Sequence, residues 1–332
     1  MPEVGIREVA ALAGVSVSTV SNALNRPERV SAKVATRVAD AISTLGYVPN
    51  DAARQLRAGR SKTIGMAVIN IANPFFSQVV LGAEEAAQRA GYDVIVGNSY
   101  DSNERESRYL ELFERQRLDG VLIAPVGNSL GSLDRFRERG VPVVLVDRID
   151  KLNEFTSVSL DDVLGGTMAA EHLLENGRRH IGFIGGPFHV TQMTDRLEGS
   201  RRVVESAGAR FTVFETSTLN PTLGRELGES IASLPPADRP DAIFAANDEM
   251  ALGVMQSLMR RGIRIPEDIA IVGYDDIDFA AAAIVPLTSV RQPSFEMGSR
   301  AAELLVQKLG GDDSAESSRF LPELIVRQST RK

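Results

Sequence analysis

Residues 9–25 read VAALAGVSVSTVSNALN, and their pattern decides how the first sixty residues fold. Ile6, Val9, Ala10 and Ala13 share one helical face. Gly14 supplies a tight turn, because glycine reaches positive φ without a Cβ penalty. Ser16 follows as the N-cap of a second helix. The inward face of that helix is Val20, Ala23 and Leu24; the outward face is Val17, Ser18, Ser21 and Asn22. Ser31 reads as another N-cap, and Val34, Val38, Ala41, Ile42 and Leu45 form the buried stripe of a third helix. Gly46 ends it and Pro49 prevents continuation. Two short helices across a glycine turn, with a supporting third, make a helix-turn-helix unit whose second helix enters the DNA major groove. The same pattern is open to an ordinary three-helix bundle.

Charge points toward DNA. The 332-residue chain carries −7 overall. Residues 1–60 hold eight basic and five acidic residues, +3, and the remainder holds 29 basic and 39 acidic, −10. A basic module on an acidic body suits a polyanionic partner for the module. Asn22 can pair bidentately with adenine and Val17 can pack on a thymine methyl. Ser16, Thr19, Ser21 and Asn25 suit phosphate oxygens.

From residue 62 the pattern changes to short apolar runs alternating with helix-length segments. The runs are 63–69, 93–98, 119–124, 142–147, 180–185, 211–215, 241–246 and 268–273, with a late strand near 288–291. Near-continuous apolar strands in βαβ order imply parallel sheets covered on both faces. Eight such runs exceed one comfortable sheet, so two doubly wound lobes with a cleft between them are expected. Ligands of such folds bind beyond the carboxyl ends of the strands. Those ends carry amides, carboxylates, guanidiniums and two aromatic rings, as in NIANPFF, SYDSN, DR, ND and YDD, with Gln292 after the late strand. Mixed donors and acceptors around a phenyl face suit a polyhydroxylated ligand. A sugar's C–H face can rest on Phe75 or Phe76. The lack of a glycine-rich phosphate loop argues against a nucleotide. The stretch GGDDSAESS, 310–318, reads as a mobile surface loop.

Other classes recede. There are no cysteines, which removes disulfides and thiolate metal sites. The three histidines, His172, His180 and His189, lack metal-ligand spacing, and no G-x-S-x-G elbow occurs. No enzyme activity, cofactor or metal is therefore expected. The N-terminus lacks the basic and apolar regions of a secretory signal, and no apolar run reaches the roughly 18–20 residues of a membrane span. The expected location is cytoplasmic.

The string quoted first, followed by VSAKVATRVADAISTLGYVPNDAARQLR, resembles the headpiece of the lactose-repressor (LacI/GalR) family of bacterial transcription regulators, and the likeness runs to the chain's end. The resemblance puts Val17, Ser18 and Asn22 at base-reading positions. It makes residues 49–60 a hinge helix that folds on DNA in the minor groove, capped by Asn50. Ala53 and Leu56 would meet the partner's hinge. Leu56 would wedge between base steps, and Arg54 and Arg57 would touch phosphates. The body resembles the periplasmic sugar-binding fold, ribose-binding proteins most closely. Matching positions are Asn73, Phe75 and Phe76 in NPFF, Asp147 and Arg148 in VDR, Arg196 in DRLEG, Asn247 in ANDEMALG, Asp275 in VGYDD and Gln292 in RQP. Asp101 stands where that group has asparagine.

The implied organisation is an all-α helix-turn-helix headpiece, 1–48, and a hinge and linker, 49–60. An α/β, two-lobed effector and dimerisation domain, 61–332, follows. Its N-lobe would be 62–160 plus 291–320, and its C-lobe 161–289 plus 321–332. The implied function is a repressor that binds palindromic double-stranded operator DNA as a homodimer under control of a monosaccharide, a ribose-like pentose first among candidates. A hexose, nucleoside or phosphorylated metabolite as effector, or action with a co-repressor, would use the same fold. A transport solute-binding protein would share the body but not the headpiece. Tetramers in the family need an added C-terminal helix, and only Arg331 and Lys332 follow LIVRQST, so a dimer is expected.

Overall fold

The computed structural model describes residues 4–47, 61–127, 130–150, 152, 154–312 and 314–331, without the side chain of Asn25. Residues 49–60, and with them Arg54, Leu56 and Arg57, lie outside the described residues. The chain divides into a small helical unit ending at Ser61 and a large α/β unit beginning at Lys62.

The small unit contains α1 (Ile6–Ala13), α2 (Val17–Asn25) and α3 (Ala32–Leu45). Gly14 closes α1 at φ 61°, where a side chain would be strained. Ser16 caps α2 by accepting from the Thr19 N–H at 3.1 Å. Val9, Ala10, Ala13, Val20, Val38 and Ala41 form the core. Two expectations need correction. Leu24 is exposed rather than inward, while Val20 and Ala23 lie on the core side as expected. Ser31 holds the N-cap position of α3, but its hydroxyl makes no capping bond. An unforeseen contact joins the helices: the Arg37 guanidinium on α3 donates to the carbonyls of Ala13 (3.0 Å) and Gly14 (3.0 Å). It thereby satisfies the orphan C-terminus of α1.

The large unit contains two six-stranded sheets. The first uses β1 (Thr63–Val68), β2 (Asp93–Asn98), β3 (Gly120–Ile123), β4 (Val143–Val146), β5 (Thr156–Leu160) and β11 (Ser318–Phe320), in the order β11-β5-β4-β3-β1-β2. The second uses β6 (His180–Gly185), β7 (Arg210–Glu215), β8 (Ala242–Ala245), β9 (Ala270–Asp275), β10 (Thr288–Arg291) and β12 (Glu323–Ile325), in the order β12-β10-β9-β8-β6-β7. Every pairing is parallel except β10 with β12. The chain passes from the first sheet to the second after Leu160, returns after Arg291 and passes again after Phe320. Each sheet with its helices is called a lobe below.

β3, β4, β8 and β9 are buried along their whole length, as strands covered on both faces must be. The covering helices are α4 (Pro74–Arg89), α5 (Asn103–Arg115), α6 (Asp134–Glu138), α7 (Asp162–Glu175), α8 (Thr191–Ser206), α9 (Pro221–Ala232), α10 (Asp248–Arg260), α11 (Asp278–Ala282) and α12 (Ser294–Leu309). α7 and α8 pack backbone to backbone. A Cβ on Gly166 would strike the Arg196 carbonyl, and one on Gly199 the Val163 carbonyl. This contact fixes the height of Arg196. Among the described residues, no helix is long and apolar enough to cross a membrane.

Three strands were not expected from the sequence. β5 reads TSVSL and is stitched by serines, the Ser157 N–H donating to Ser317 Oγ at 2.9 Å. β11 and β12 have three residues each. The stretch 310–318 is therefore no free loop at its end: Ala315 accepts from Thr156 Oγ1 at 3.4 Å, Ser317 pairs with β5, and Ser318 opens β11.

Candidate functional site

The carboxyl ends of β1–β4 and β6–β10 converge on a cavity of about 220 Å³. That is smaller than the roughly 300–1,000 Å³ pockets of drug-sized ligands. Both sheets contribute, so it lies in the cleft between the lobes. Nine of the expected residues line it: Asn73, Phe75, Phe76, Asp101, Asp147, Arg196, Asn247, Asp275 and Gln292. Arg148 lines a small adjoining recess with Asp162, Thr191 and Asp195 instead.

Local structure sets what each side chain can offer. Asn73 and Asn247 are N-caps whose side-chain oxygens accept from Phe75 N–H and Met250 N–H, each at 2.9 Å. That bond orients each amide, and their NH₂ groups remain for a ligand. Phe75 and Phe76 meet edge to face, centroids 5.0 Å apart. Asp147 follows β4 and Asp275 ends β9, at φ 54° and 105°, conformations costly for a residue with a Cβ. The second is held by its surroundings. Gln292 Nε2 donates to Asp275 Oδ1 at 2.7 Å, and Asp276 N–H donates to Ser289 Oγ at 3.0 Å. Beneath them buried Asp248 accepts from Ser289 Oγ (2.7 Å) and Ile277 N–H (2.9 Å).

Arg196 is buried at the centre. Its Nε donates to Asp162 at 2.7 Å and its Nη1 to the Ala246 carbonyl at 2.7 Å. Tyr274 OH donates to the same Asp162 oxygen at 2.9 Å. Burial disfavours the guanidinium charge, but Asp162 foremost, with Tyr274, Asp275 and Asp147, outweighs it and holds Arg196 cationic. Burial pushes Asp147 up to about 8, Asp162 adding to the effect and Arg196 opposing it. Burial likewise pushes Asp275 up to about 7 against the pull of Arg196 and Gln292.

Gln192 was not foreseen. It belongs to α8 in the second lobe, yet its Nε2 donates to the Asp147 carbonyl and, at 3.3 Å, to Asp147 Oδ2 in the first. Nothing in FHVTQMTD signals that reach. Asp162 follows the unexpected strand β5, and recognising that strand would have found it. Tyr274 was hidden inside an apolar run.

In the small unit, Val17 and Ser18 at the start of α2 are exposed, while Thr19, Ser21 and Asn22 are half-buried. The Ser16 hydroxyl is shared with Ser18 (2.7 Å) and Thr19 (2.8 Å) besides its cap, so these hydroxyls form one preset cluster.

Comparison with known proteins adds two matching families. The profile of bacterial regulatory proteins, lacI family, matches residues 5–50. That of the periplasmic binding protein-like domain matches 170–330. The ribose operon repressor of Bacillus subtilis is 35% identical over 328 residues, 98% of each chain. The lac repressor dimer bound to operator and the anti-inducer ONPF superposes with TM-score 0.86 at 27% identity over 99% of each chain. A LacI family regulator from Enterococcus faecium with bound ribose gives TM-score 0.74 at 27% identity, over 80% of this chain and 98% of its own.

Proposed function

This chain belongs to the lacI family of bacterial regulatory proteins, and from that premise we propose that it is a transcriptional repressor whose hold on an operator is set by a small monosaccharide, a ribose-like pentose, in the inter-lobe cleft. One observation carries the proposal. A helix-turn-helix unit shares a polypeptide with a small cleft, built on two lobes and lined by carboxylates, amides and a guanidinium. A binding event that alters the lobes can then alter DNA affinity. A coupling of about 1–3 kcal/mol corresponds to a roughly 5–150-fold change.

The cleft chemistry supports a polyol. Asp147, Asp275, Gln292 and Arg196 surround a volume sized for a small ring, with Phe75 and Phe76 on its wall. Val17, Ser18 and Asn22 would read bases; Ser16, Thr19, Ser21 and Asn25 would hold phosphates, with Arg54, Leu56 and Arg57 acting in the hinge. The protein would act as a homodimer on a palindromic site. Leu81, Ile95 and Val96 in the first lobe and Phe279 and Ile284 in the second are exposed apolar residues of the kind an interface covers.

The decisive experiment is a thermal-shift panel of pentoses, hexoses and nucleosides. Operator binding by the full chain is then measured with and without the ligand found. A stabilising pentose that changes operator affinity at least fivefold supports the reading. A ligand that stabilises without changing DNA binding overturns it.

A further inference from the structure

The cleft has a surplus of acceptors. Among the described residues, Asp147 Oδ1 and the side-chain oxygens of Gln192 and Gln292 are buried without a hydrogen-bond partner. Their own donors are committed: Gln192 Nε2 to Asp147 and Gln292 Nε2 to Asp275. The Asp147 main-chain carbonyl, an acceptor at any pH, fixes the Gln192 amide, and Gln292 donates to Asp275 Oδ1, so the free atom on each amide is its oxygen. Buried acceptors left unpaired are costly, and donors on a ligand or water relieve that cost.

The charge is unbalanced as well. Asp101, Asp147 and Asp275 line the cavity together with Arg196 and His189. Arg196 is not an uncommitted cation. Asp162 pairs with it at 2.7 Å, and Tyr274 lies under its guanidinium, 3.7 Å from the ring centroid. A phosphate or carboxylate entering here would meet the carboxyl oxygens and the unpaired amide oxygens of Gln192 and Gln292, with the neutral NH₂ groups of Asn73 and Asn247 as donors. Once Asp147 and Asp275 are ionised, above about pH 8, like charges about 5 Å apart repel strongly enough, at the effective dielectric of such sites, for a penalty of roughly 100-fold in affinity.

On the reading of this cleft as the effector site, we propose that it selects ligands by the donors they present and against negative charge, with Gln192 as the residue that enforces the choice from the opposite lobe. Hydroxyl- or amine-bearing polyols satisfy Asp147, Gln192 and Gln292 together. The phosphate ester or the aldonic acid of the same sugar does not. Because Gln192 reaches Asp147 across the cleft, a ligand that bonds to both also ties the lobes together.

The test is titration calorimetry on the full chain at pH 9, where Asp147 and Asp275 are ionised, with D-ribose, ribose 5-phosphate, ribonate and a hydroxyl-rich amine, tris(hydroxymethyl)aminomethane, in phosphate-free, amine-free buffer. Ribose is expected to bind about 100-fold tighter than either anion, and the amine is expected to bind detectably. Anions bound within threefold of ribose would overturn the selection rule while leaving a sugar site intact. Failure of every compound to bind would remove the saccharide reading and this inference with it. Two variants separate selection from stability. Asp147→Asn should shrink the ribose-to-phosphate ratio below tenfold. Gln192→Glu should weaken ribose at least tenfold while favouring the amine relative to it. If both ratios stay at the wild-type value, the assignment to these side chains is wrong.

Discussion

The guanidinium of Arg196 stacks over Tyr274, 3.7 Å from the ring centroid, while both side chains bond the same oxygen of Asp162. Gly165 makes this possible, since a Cβ there would collide with the Tyr274 hydroxyl. The triad fixes the Arg196 guanidinium to a single rotamer in the cleft wall, so a ligand need not order it.

Arg196→Lys keeps the charge but loses the planar fork and the stack. Expected are loss of the sugar response, with at least a 30-fold weaker sugar affinity, and operator affinity without sugar within twofold of wild type. Tyr274→Phe removes one bond to Asp162 and should weaken the sugar by a smaller factor, about three- to tenfold. Calorimetry beside operator binding checks both. A normal response in Arg196→Lys would show that Arg196 is structural only.

Sugar affinity should rise with pH. Asp147 and Asp275, pushed up to about 8 and about 7 by burial, hold protons for part of the time at neutral pH. Hydroxyl donors favour the ionised carboxylate, so binding lowers both values and releases protons. Affinity therefore climbs between pH 6 and 8 and levels off above, by about tenfold in all. Calorimetry in two buffers of different ionisation enthalpy measures the proton count. A flat profile with no proton release contradicts the assignment.

Stability should run the other way. An Asp raised to about 8 in the folded chain keeps a proton that the unfolded chain releases near 4. Its contribution is complete below pH 4 and is lost as pH rises through 8. Asp147→Asn removes that liability. Its Tm should exceed wild type by a few °C at pH 8.5 and by little at pH 5, read by calorimetric scans at the two pH values.

The lobes were legible because β3, β4, β8 and β9 are wholly buried, and a strand covered on both faces has to be apolar. β5 escaped for the opposite reason. Its Ser157 and Ser159 are buried, with Ser157 paired to Ser317, so burial left no apolar trace. The cleft divided along the same line. Residues at the carboxyl ends of apolar strands, such as Asp147 and Asp275, announce themselves by position. Gln192 reaches its partner from another lobe, and Asp162 acts behind Arg196. The first leaves no pattern in the neighbouring sequence, and the second is hidden with the serine-rich strand before it.

The small unit offers a contrast between reading and scaffolding. Asn22 is half-buried on α2, and an Asn there can pair with one base edge. Asn22→Ala should cost about 1–3 kcal/mol of discrimination at one half-site position and flatten that column of a selected-site profile. Arg37 touches no base in this scheme; it closes the end of α1 through Ala13 and Gly14. Arg37→Met should lower the stability of the small unit by about 1–2 kcal/mol. It should weaken all operators by a common factor without changing their order, and leave sugar affinity untouched. Parallel site selection with the two variants distinguishes the roles. A flattened column in Arg37→Met, or a uniform loss in Asn22→Ala, would reverse the assignment.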